Sequence, residues 1–117
     1  MLLIQMTMKN KELEIIGEPT EGSLKKWSKK YGTRLKRFEI TDDGKIYVAY
    51  FAKPTLETVQ AADENHGDKP VERNLFQLNN CYLGGSEVYE KDDEFRFALA
   101  NAVAKSFRIL TGVLKNG

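Results

Sequence analysis

The sequence predicts an α+β domain: an antiparallel β-hairpin or small sheet packed with about four helices, the last of them long. Two apolar segments flank Asp43-Gly44, a dipeptide that suits the positive φ angles of a tight hairpin turn. Apolar residues also recur at helical spacing on both sides of this hairpin. The 117 residues, of which 41% are hydrophobic and 30% charged, are typical of one domain with one core.

We expect a single domain over residues 1–117, with residues 1–22 as a loosely ordered N-terminal extension. Within the extension, Leu13, Ile15 and Ile16 predict a short leading strand, after which glycine and proline interrupt the chain. A first helix is predicted from Ser23, a suitable N-cap, to Tyr31, with Gly32 as its stop.

The hairpin is predicted to have arms at 35–40 and 46–51. The first arm alternates between apolar and polar residues, whereas the second is apolar on both faces. One face carries Ile46, Val48 and Tyr50, and the other carries Tyr47, Ala49 and Phe51. A strand of this kind requires cover on both sides, and we consider a second chain as one source of that cover.

Three more helices are predicted, from Pro54-Thr55 to about Glu64, from Pro70 to Asn80, and from Asp92 to Leu114. Proline is accepted in a first helical turn. The segment Tyr82–Ser86 between the last two helices is predicted to be a turn. The last helix has a regular apolar stripe that includes Phe95, Leu99, Val103, Leu110 and Val113.

Charge and cysteine content limit the class of protein. Lys plus Arg number 18 and Asp plus Glu number 17, a net charge of +1, which favours neither bulk nucleic-acid binding nor membrane adsorption. The single cysteine, Cys81, cannot form an internal disulfide. No apolar run approaches the roughly 20 residues of a membrane span, and no signal peptide is recognisable. We therefore expect a cytoplasmic protein.

A basic cluster in the first helix and first arm has two interpretations. It consists of Lys25, Lys26, Lys29, Lys30, Arg34, Lys36 and Arg37. One interpretation is a nucleic-acid surface with Trp27 and Tyr31 as stacking groups. The other, which we favour, is the solvated face of an amphipathic helix whose aromatic residues point inward.

An acidic run precedes the last helix and consists of Glu87, Glu90, Asp92, Asp93 and Glu94. It lacks the alternating spacing of a calcium loop, and helix capping accounts for Asp92 and Asp93. A further hypothesis is that this acidic end meets the basic first helix of a neighbouring copy in a head-to-tail contact.

Other candidate sites have structural explanations. Cys81 and the only histidine, His66, are predicted to be a buried inert thiol and a solvated loop residue rather than a nucleophilic pair. Gly84-Gly85 lacks the rest of a phosphate loop, so we predict a tight turn there. We expect no enzyme activity, catalytic residue, metal ligand, cofactor or small-molecule substrate.

The order of motifs resembles that of small tail assembly chaperone-like proteins of phages and prophages, especially in Bacteroides-type genomes. Hairpin end 47–53 leads through Pro54 into a helix with Leu56, Ala61 and Ala62, followed by Asp68. The segment Asn80-Cys81-Tyr82-Leu83-Gly84-Gly85-Ser86-Glu87 then precedes Asp92-Asp93-Glu94. The resemblance covers roughly 27–114, and the charged extension before Trp27 departs from the shortest members.

The resemblance implies a non-enzymatic protein that oligomerises and coats apolar stretches of a tail tape-measure protein. It supplies no catalytic residues, and it implies structural roles for Pro54, Cys81, Gly84, Gly85, Asp92 and Asp93. Our predicted interface consists of Ile46, Tyr47, Val48, Tyr50, Phe51, Phe95, Leu99, Val103 and Leu110. The predicted partners are further copies and a phage tail protein, without nucleic acid or membrane. The alternative is a small nucleic-acid-binding regulator that uses the basic segment 25–37.

Overall fold

The computed structural model describes residues 13–117 and confirms the α+β class. The elements, in chain order, are β1 (Glu14–Ile16), α1 (Glu21–Tyr31), a 3₁₀ turn (Gly32–Arg34), β2 (Leu35–Asp42), β3 (Lys45–Ala52), α2 (Leu56–His66), α3 (Pro70–Cys81), β4 (Tyr82–Gly85), α4 (Val88–Lys91) and α5 (Asp93–Ser106). Residues 107–117 follow α5 without regular structure and are called the C-terminal arm below.

Strand β3 is the centre of a mixed four-stranded sheet. It pairs antiparallel with β2 along its whole length, from Lys45 opposite Asp42 to Ala52 opposite Leu35. Because β2 occupies one edge of β3 completely, β1 and β4 share the other edge. β1 lies parallel to 45–47, and β4 lies antiparallel to 49–51.

The hairpin is confirmed, and its arms are longer than predicted by two residues at the end of β2 and by one residue at each end of β3. Asp43 and Gly44 form the turn with φ angles of +49° and +75°, as expected for an Asp-Gly hairpin turn. The predicted turn at Tyr82–Ser86 is wrong, because Tyr82–Gly85 pairs with β3 as strand β4. A four-residue strand of this composition forms through long-range pairing and has no local signal.

The two apolar faces of β3 are both covered within the chain. On one face, Ala49 and Phe51 pack in a core with α3, α4 and α5 that includes Leu78, Cys81, Tyr89, Leu99, Ala100 and Val103. On the other face, the ring of Trp27 in α1 lies 5.8 Å from that of Tyr50, centroid to centroid. Val48 on this face is 0% exposed, so its cover does not require a second chain.

The leading strand is confirmed at Glu14–Ile16. Of residues 1–22, for which we predict a loosely ordered extension, residues 1–12 lie outside the described part of the chain. The rest is attached to the fold, since β1 pairs with β3 and Glu18 bonds with Arg37. Gly17 lies so close to Ser86 that an added Cβ would be 2.1 Å from its backbone nitrogen.

The last helix is shorter than predicted, since it ends at Ser106 and not at Leu114. Its buried positions stop at Val103, and the large apolar side chains from Ile109 onward are 74–98% exposed, so they pack little against the fold. A short helix without such packing is marginal in water, and Gly112 weakens it further. Among residues 13–117, no helix has the length and apolar character needed to cross a membrane.

Candidate protein-binding site

An apolar groove of about 270 Å³ runs between α3 and α5. Its lining residues are Val71, Asn74, Leu75, Asp93, Arg96, Phe97, Ala100 and Asn101. The two helices pack against each other, and Leu78 of α3 and Leu99 of α5 both belong to the buried core. Val71 and Phe97 at its walls remain 54% and 42% exposed. The groove therefore presents apolar side chains that the fold itself does not cover.

Polar groups stand at defined places in this groove. The Asn74 side chain donates a 3.0 Å hydrogen bond to Oδ1 of Asn101, which links the two helices. Arg96 donates to Oδ1 of Asn79 at 2.5 Å, so its guanidinium is held by α3. Asp93 forms no ion pair with any residue of the described chain. The groove thus offers an apolar centre with one carboxylate free to receive a cation.

The C-terminal arm exposes a second set of apolar side chains. Exposure is 93% for Ile109, 74% for Leu110, 80% for Val113 and 98% for Leu114. The arm carries Arg108 and Lys115 and has no acidic residue. Isolated apolar residues on a surface are ordinary, but a contiguous group indicates a binding surface.

A smaller cavity of about 180 Å³ lies where the arm leaves α5 and is lined by Val59, Asp63, Arg73, Asn74, Gln77, Ala104, Phe107 and Ile109. Gln77 is 5% exposed, and its Oε1 atom has no hydrogen-bond donor among the described residues. A buried polar atom without a partner costs about 1–3 kcal/mol. Asn74 lines both this cavity and the groove, so the two adjoin.

The predicted interface requires correction. Val48, Phe51, Leu99 and Val103 are buried in the folded chain, so they stabilise the domain and do not form part of its surface. Ile46, Tyr47, Tyr50 and Phe95 are half-buried, and the rings of Tyr47 and Phe95 pack against each other at 5.1 Å. Leu110 alone of the nine is fully on the surface.

Sequence reasoning missed most of the exposed apolar surface. Ile109, Leu114, Val71 and Phe97 did not enter the predicted interface, and Val113 entered only the predicted helix stripe. Residues 109–114 are mostly apolar, and they lie beyond the length of helix that one small core can cover. This was the feature of the sequence that could have indicated an exposed apolar surface. Which face of α3 and α5 stays uncovered follows only from how the two helices pack.

The basic cluster does not form one surface. The four lysines of α1 are exposed, whereas Arg34 donates to the carbonyl oxygen of Lys53 at 2.9 and 3.2 Å. Arg37 is paired with the carboxylates of Glu18 and Glu39. Trp27, the first predicted stacking group, is packed on the sheet so closely that a Cβ on Gly84 would be 3.0 Å from its ring.

Tyr31, the second predicted stacking group, lies near the charged groups of Lys30 and Arg34, at 5.3 and 5.8 Å from its ring centroid. Lys36 stands opposite Phe51 in the sheet register, on the face of the sheet away from Trp27. The arrangement is that of a solvated helix face whose tryptophan points inward.

Of the acidic run, Asp92 caps α5 as predicted, whereas Asp93 is the first residue of that helix and not a cap. Oδ1 of Asp92 accepts hydrogen bonds from the backbone N–H groups of Glu94 and Phe95 at 2.9 and 3.1 Å. Glu87 pairs with Lys91 one helical turn away. No group of three or more metal-ligating side chains occurs within residues 13–117.

Cys81 and His66 have different surroundings. Cys81 is 5% exposed within the core, and burial raises the pKa of its thiol. His66 ends α2, where its ring lies 5.5 Å from that of Phe76 and its Nδ1 lies 3.6 Å from a carboxylate oxygen of Glu72. No hydrogen bond joins the two residues in the described part of the chain.

The adjacent glycines belong to β4 rather than to a turn. A Cβ on Gly85 would be 2.3 Å from the carbonyl oxygen of Val48, and one on Gly84 would meet Trp27. The glycines therefore allow α1 and β3 to approach β4 closely.

Comparison with known proteins identifies no relative of this chain. No protein-family model, no curated protein and no solved structure matches this chain significantly.

Proposed function

We propose that this protein is a non-enzymatic assembly protein, of the tail assembly chaperone type found in phages and prophages, that binds apolar segments of a tail protein in the cytoplasm and self-associates. The observation that carries the proposal is the pair of uncovered apolar surfaces, the α3–α5 groove and the C-terminal arm. Each is contiguous, and both lie on a domain whose core is otherwise closed.

The side chains that line the groove support a peptide as the bound group. It is lined by aliphatic and aromatic side chains, two amides and the charged residues Asp93 and Arg96, and an apolar groove of this kind can receive the apolar face of a helix. Its walls run along two helices, so an occupant meets a surface that is formed before binding. Asn74 and Asn101 supply hydrogen-bonding groups that orient such an occupant.

The motif residues behind the resemblance have structural roles in the fold. Pro54 and Cys81 are buried, Asp92 caps α5, and Gly84 and Gly85 permit close packing. For these five positions the roles are of the structural kind that the resemblance implies, whereas the sixth, Asp93, lies in the groove.

The proposal is tested with a recombinant apolar segment of a tape-measure protein that aggregates on dilution from denaturant. Light scattering is recorded with and without the full chain, and complexes are measured by size-exclusion chromatography with multi-angle scattering. We expect the wild-type chain to suppress scattering and to co-elute with the segment. Substituting Val71→Glu with Phe97→Glu in the groove is expected to abolish both effects.

A matched control replaces Lys25, Lys26, Lys29 and Lys30 by Gln. Because these lysines lie on α1, away from the groove, the control is expected to bind the segment like the wild type. The same variant tests the nucleic-acid alternative. DNA or RNA binding that depends on these lysines and weakens steeply with salt, together with no effect on the tape-measure segment, contradicts the proposal.

A further inference from the structure

We infer that the C-terminal arm of one copy occupies the α3–α5 groove of a second copy, so that copies associate head to tail. The inference deepens the self-association named in the proposed function and depends on that part of it alone. It identifies the two surfaces that are in contact when copies associate.

The first argument is complementarity of apolar surface within one chain. Ile109, Leu110, Val113 and Leu114 are the four most exposed large apolar residues of the described chain, and Val71 and Phe97 on the groove are also exposed. The arm presents protruding side chains and the groove a concave wall. Docking of the arm into the groove would remove the apolar side chains of both surfaces from water.

The second argument is spacing and length. Residues 109, 110, 113 and 114 fall on one face when placed on a helix, and the arm would then be about 16 Å long. The groove follows α5 from Asp93 to Asn101, which is about 12 Å. The apolar face of the arm, about 8 Å long as a helix, fits within it.

The third argument is charge. The arm carries Arg108 and Lys115 without an acidic side chain, and neither basic residue forms an ion pair within residues 13–117. Asp93 in the groove likewise has no ion pair with any of these residues, and the nearby Arg96 bonds to Asn79. A cationic segment therefore meets a groove with one available carboxylate.

The position of the arm favours a second copy over the same chain. The arm leaves α5 at Ser106, beside the Asn101 end of the groove, whereas Asp93, the carboxylate at the far end, is thirteen residues or about 20 Å away. Only Phe107 and Arg108 separate the helix from Ile109, the shortest length of connection between antiparallel helices. In the structure the four apolar side chains of the arm stay in solvent.

A contact between two different surfaces has a distinctive consequence. Each copy offers one arm and one groove, so association is heterologous and continues until a ring closes or a filament grows. Blocking one surface on each of two chains should therefore stop association at a pair.

The experiment uses two blocked versions of the full chain. Phe97→Glu blocks the groove, and Leu110→Glu with Leu114→Glu blocks the arm. Sedimentation velocity over a range of concentrations is expected to show assemblies larger than the 13.3 kDa chain for the wild type. Each blocked chain is expected to remain a monomer, and their equimolar mixture is expected to form a heterodimer.

Leu56→Glu is the matched control, since Leu56 is 60% exposed on α2 and lies in neither surface. It should assemble like the wild type. Circular dichroism establishes that each variant is folded, and Val71→Glu replaces Phe97→Glu if the latter does not fold. A labelled peptide of residues 107–117 should bind the arm-blocked chain and bind Phe97→Glu at least about tenfold more weakly.

Three results would overturn the inference: a monomeric wild type at all concentrations, an arm-blocked chain that still self-associates, or blocked chains that do not form a pair. A monomeric wild type whose groove variant loses tape-measure binding overturns this contact and the self-association part of the proposed function, and it supports the client-binding part. Heterodimer formation without tape-measure binding supports the contact and contradicts the client part of the proposed function.

Discussion

The hydroxyl group of Tyr89 donates a 2.6 Å hydrogen bond to the backbone carbonyl oxygen of Tyr47. Tyr89 is 1% exposed, and its ring packs edge-on against Phe38 and Phe95. The bond attaches α4, a helix of four residues, to the central strand β3. Such a short helix has little stability of its own, so its position depends on this side chain.

Replacing Tyr89 by Phe removes the hydroxyl donor while keeping the ring. We expect the free energy of unfolding to fall by about 1–2 kcal/mol, because the Tyr47 carbonyl loses a buried partner. Tyr89→Ala also removes the ring and should cost about 3–5 kcal/mol. Urea denaturation followed by circular dichroism measures both, and equal stability of Tyr89→Phe and wild type would contradict the role of the bond.

The raised pKa of Tyr89 predicts that the protein loses stability as the pH becomes alkaline. Burial raises the pKa of Tyr89 to about 12, compared with about 10 in an unfolded chain. As the pH rises, the unfolded chain releases this proton first, so the stabilisation is complete below about pH 10 and declines between about 10 and 12. Urea denaturation at about pH 9 and 11 should show a smaller decline for Tyr89→Phe, in which Cys81 and the half-buried Tyr82, whose pKa values are also raised, still contribute.

Gly85 is expected to tolerate no side chain. Its φ angle is +148°, and an added Cβ would lie 2.3 Å from the carbonyl oxygen of Val48 and 2.6 Å from Cα of Ala49. Gly85→Ala should destabilise the fold by about 2 kcal/mol or more, because β4 must move away from β3. Gly112→Ala is the control: a Cβ there meets no atom within 4 Å, so its effect should be within about 0.5 kcal/mol.

Arg37 is expected to attach the segment before α1 to the sheet. It holds both carboxylate oxygens of Glu18, at 2.8 and 2.9 Å, and also bonds to Glu39 and Tyr50. Arg37→Gln should cost about 1 kcal/mol near neutral pH, since the pair is bidentate but partly exposed. Lys25→Gln, which removes only an exposed 3.7 Å pair with Glu21, should have no measurable effect.

The difference in stability between the wild type and Arg37→Gln should largely disappear at acidic pH. The hydrogen bond from Arg37 lowers the pKa of Glu18, so the pair stabilises the fold above the unfolded pKa of about 4.3. The stabilisation is lost as the pH falls through the lower folded pKa. Thermal unfolding of wild type and Arg37→Gln across acidic pH should therefore converge, and a constant difference would contradict the assignment.

Cys81 is expected to react slowly with thiol reagents in the native protein. It is buried and its thiol pKa is raised, so little thiolate is present at neutral pH. Labelling should accelerate strongly on unfolding, and His66→Ala should leave the native rate unchanged. Fast labelling that is lost in His66→Ala would instead indicate a nucleophilic pair.

Local signals in the sequence were sufficient for much of the fold. The Asp43-Gly44 turn, the capping residue Asp92 and the start of α3 at Pro70 are all as predicted, because each depends on the preferences of neighbouring residues. The inward position of Trp27 follows in the same way from the spacing of apolar residues along α1. The leading strand is confirmed at Ile15 and Ile16, two of its three predicted apolar residues, where it pairs with β3.

The candidate site depended on tertiary structure. Strand β4 forms because Gly84 and Gly85 pair with residues more than thirty positions earlier, a contact that no local pattern encodes. Apolar residues at 48, 51, 99 and 103 became core. The large apolar residues at 109–114 stayed exposed because α5 ends at Ser106 and the arm beyond it does not enter the core. A sequence shows which residues are apolar and with what period, whereas burial depends on the arrangement of all elements around them. For this protein, periodicity therefore determined the elements, and only the packing of α3 against α5 decided which apolar residues remain available for a partner.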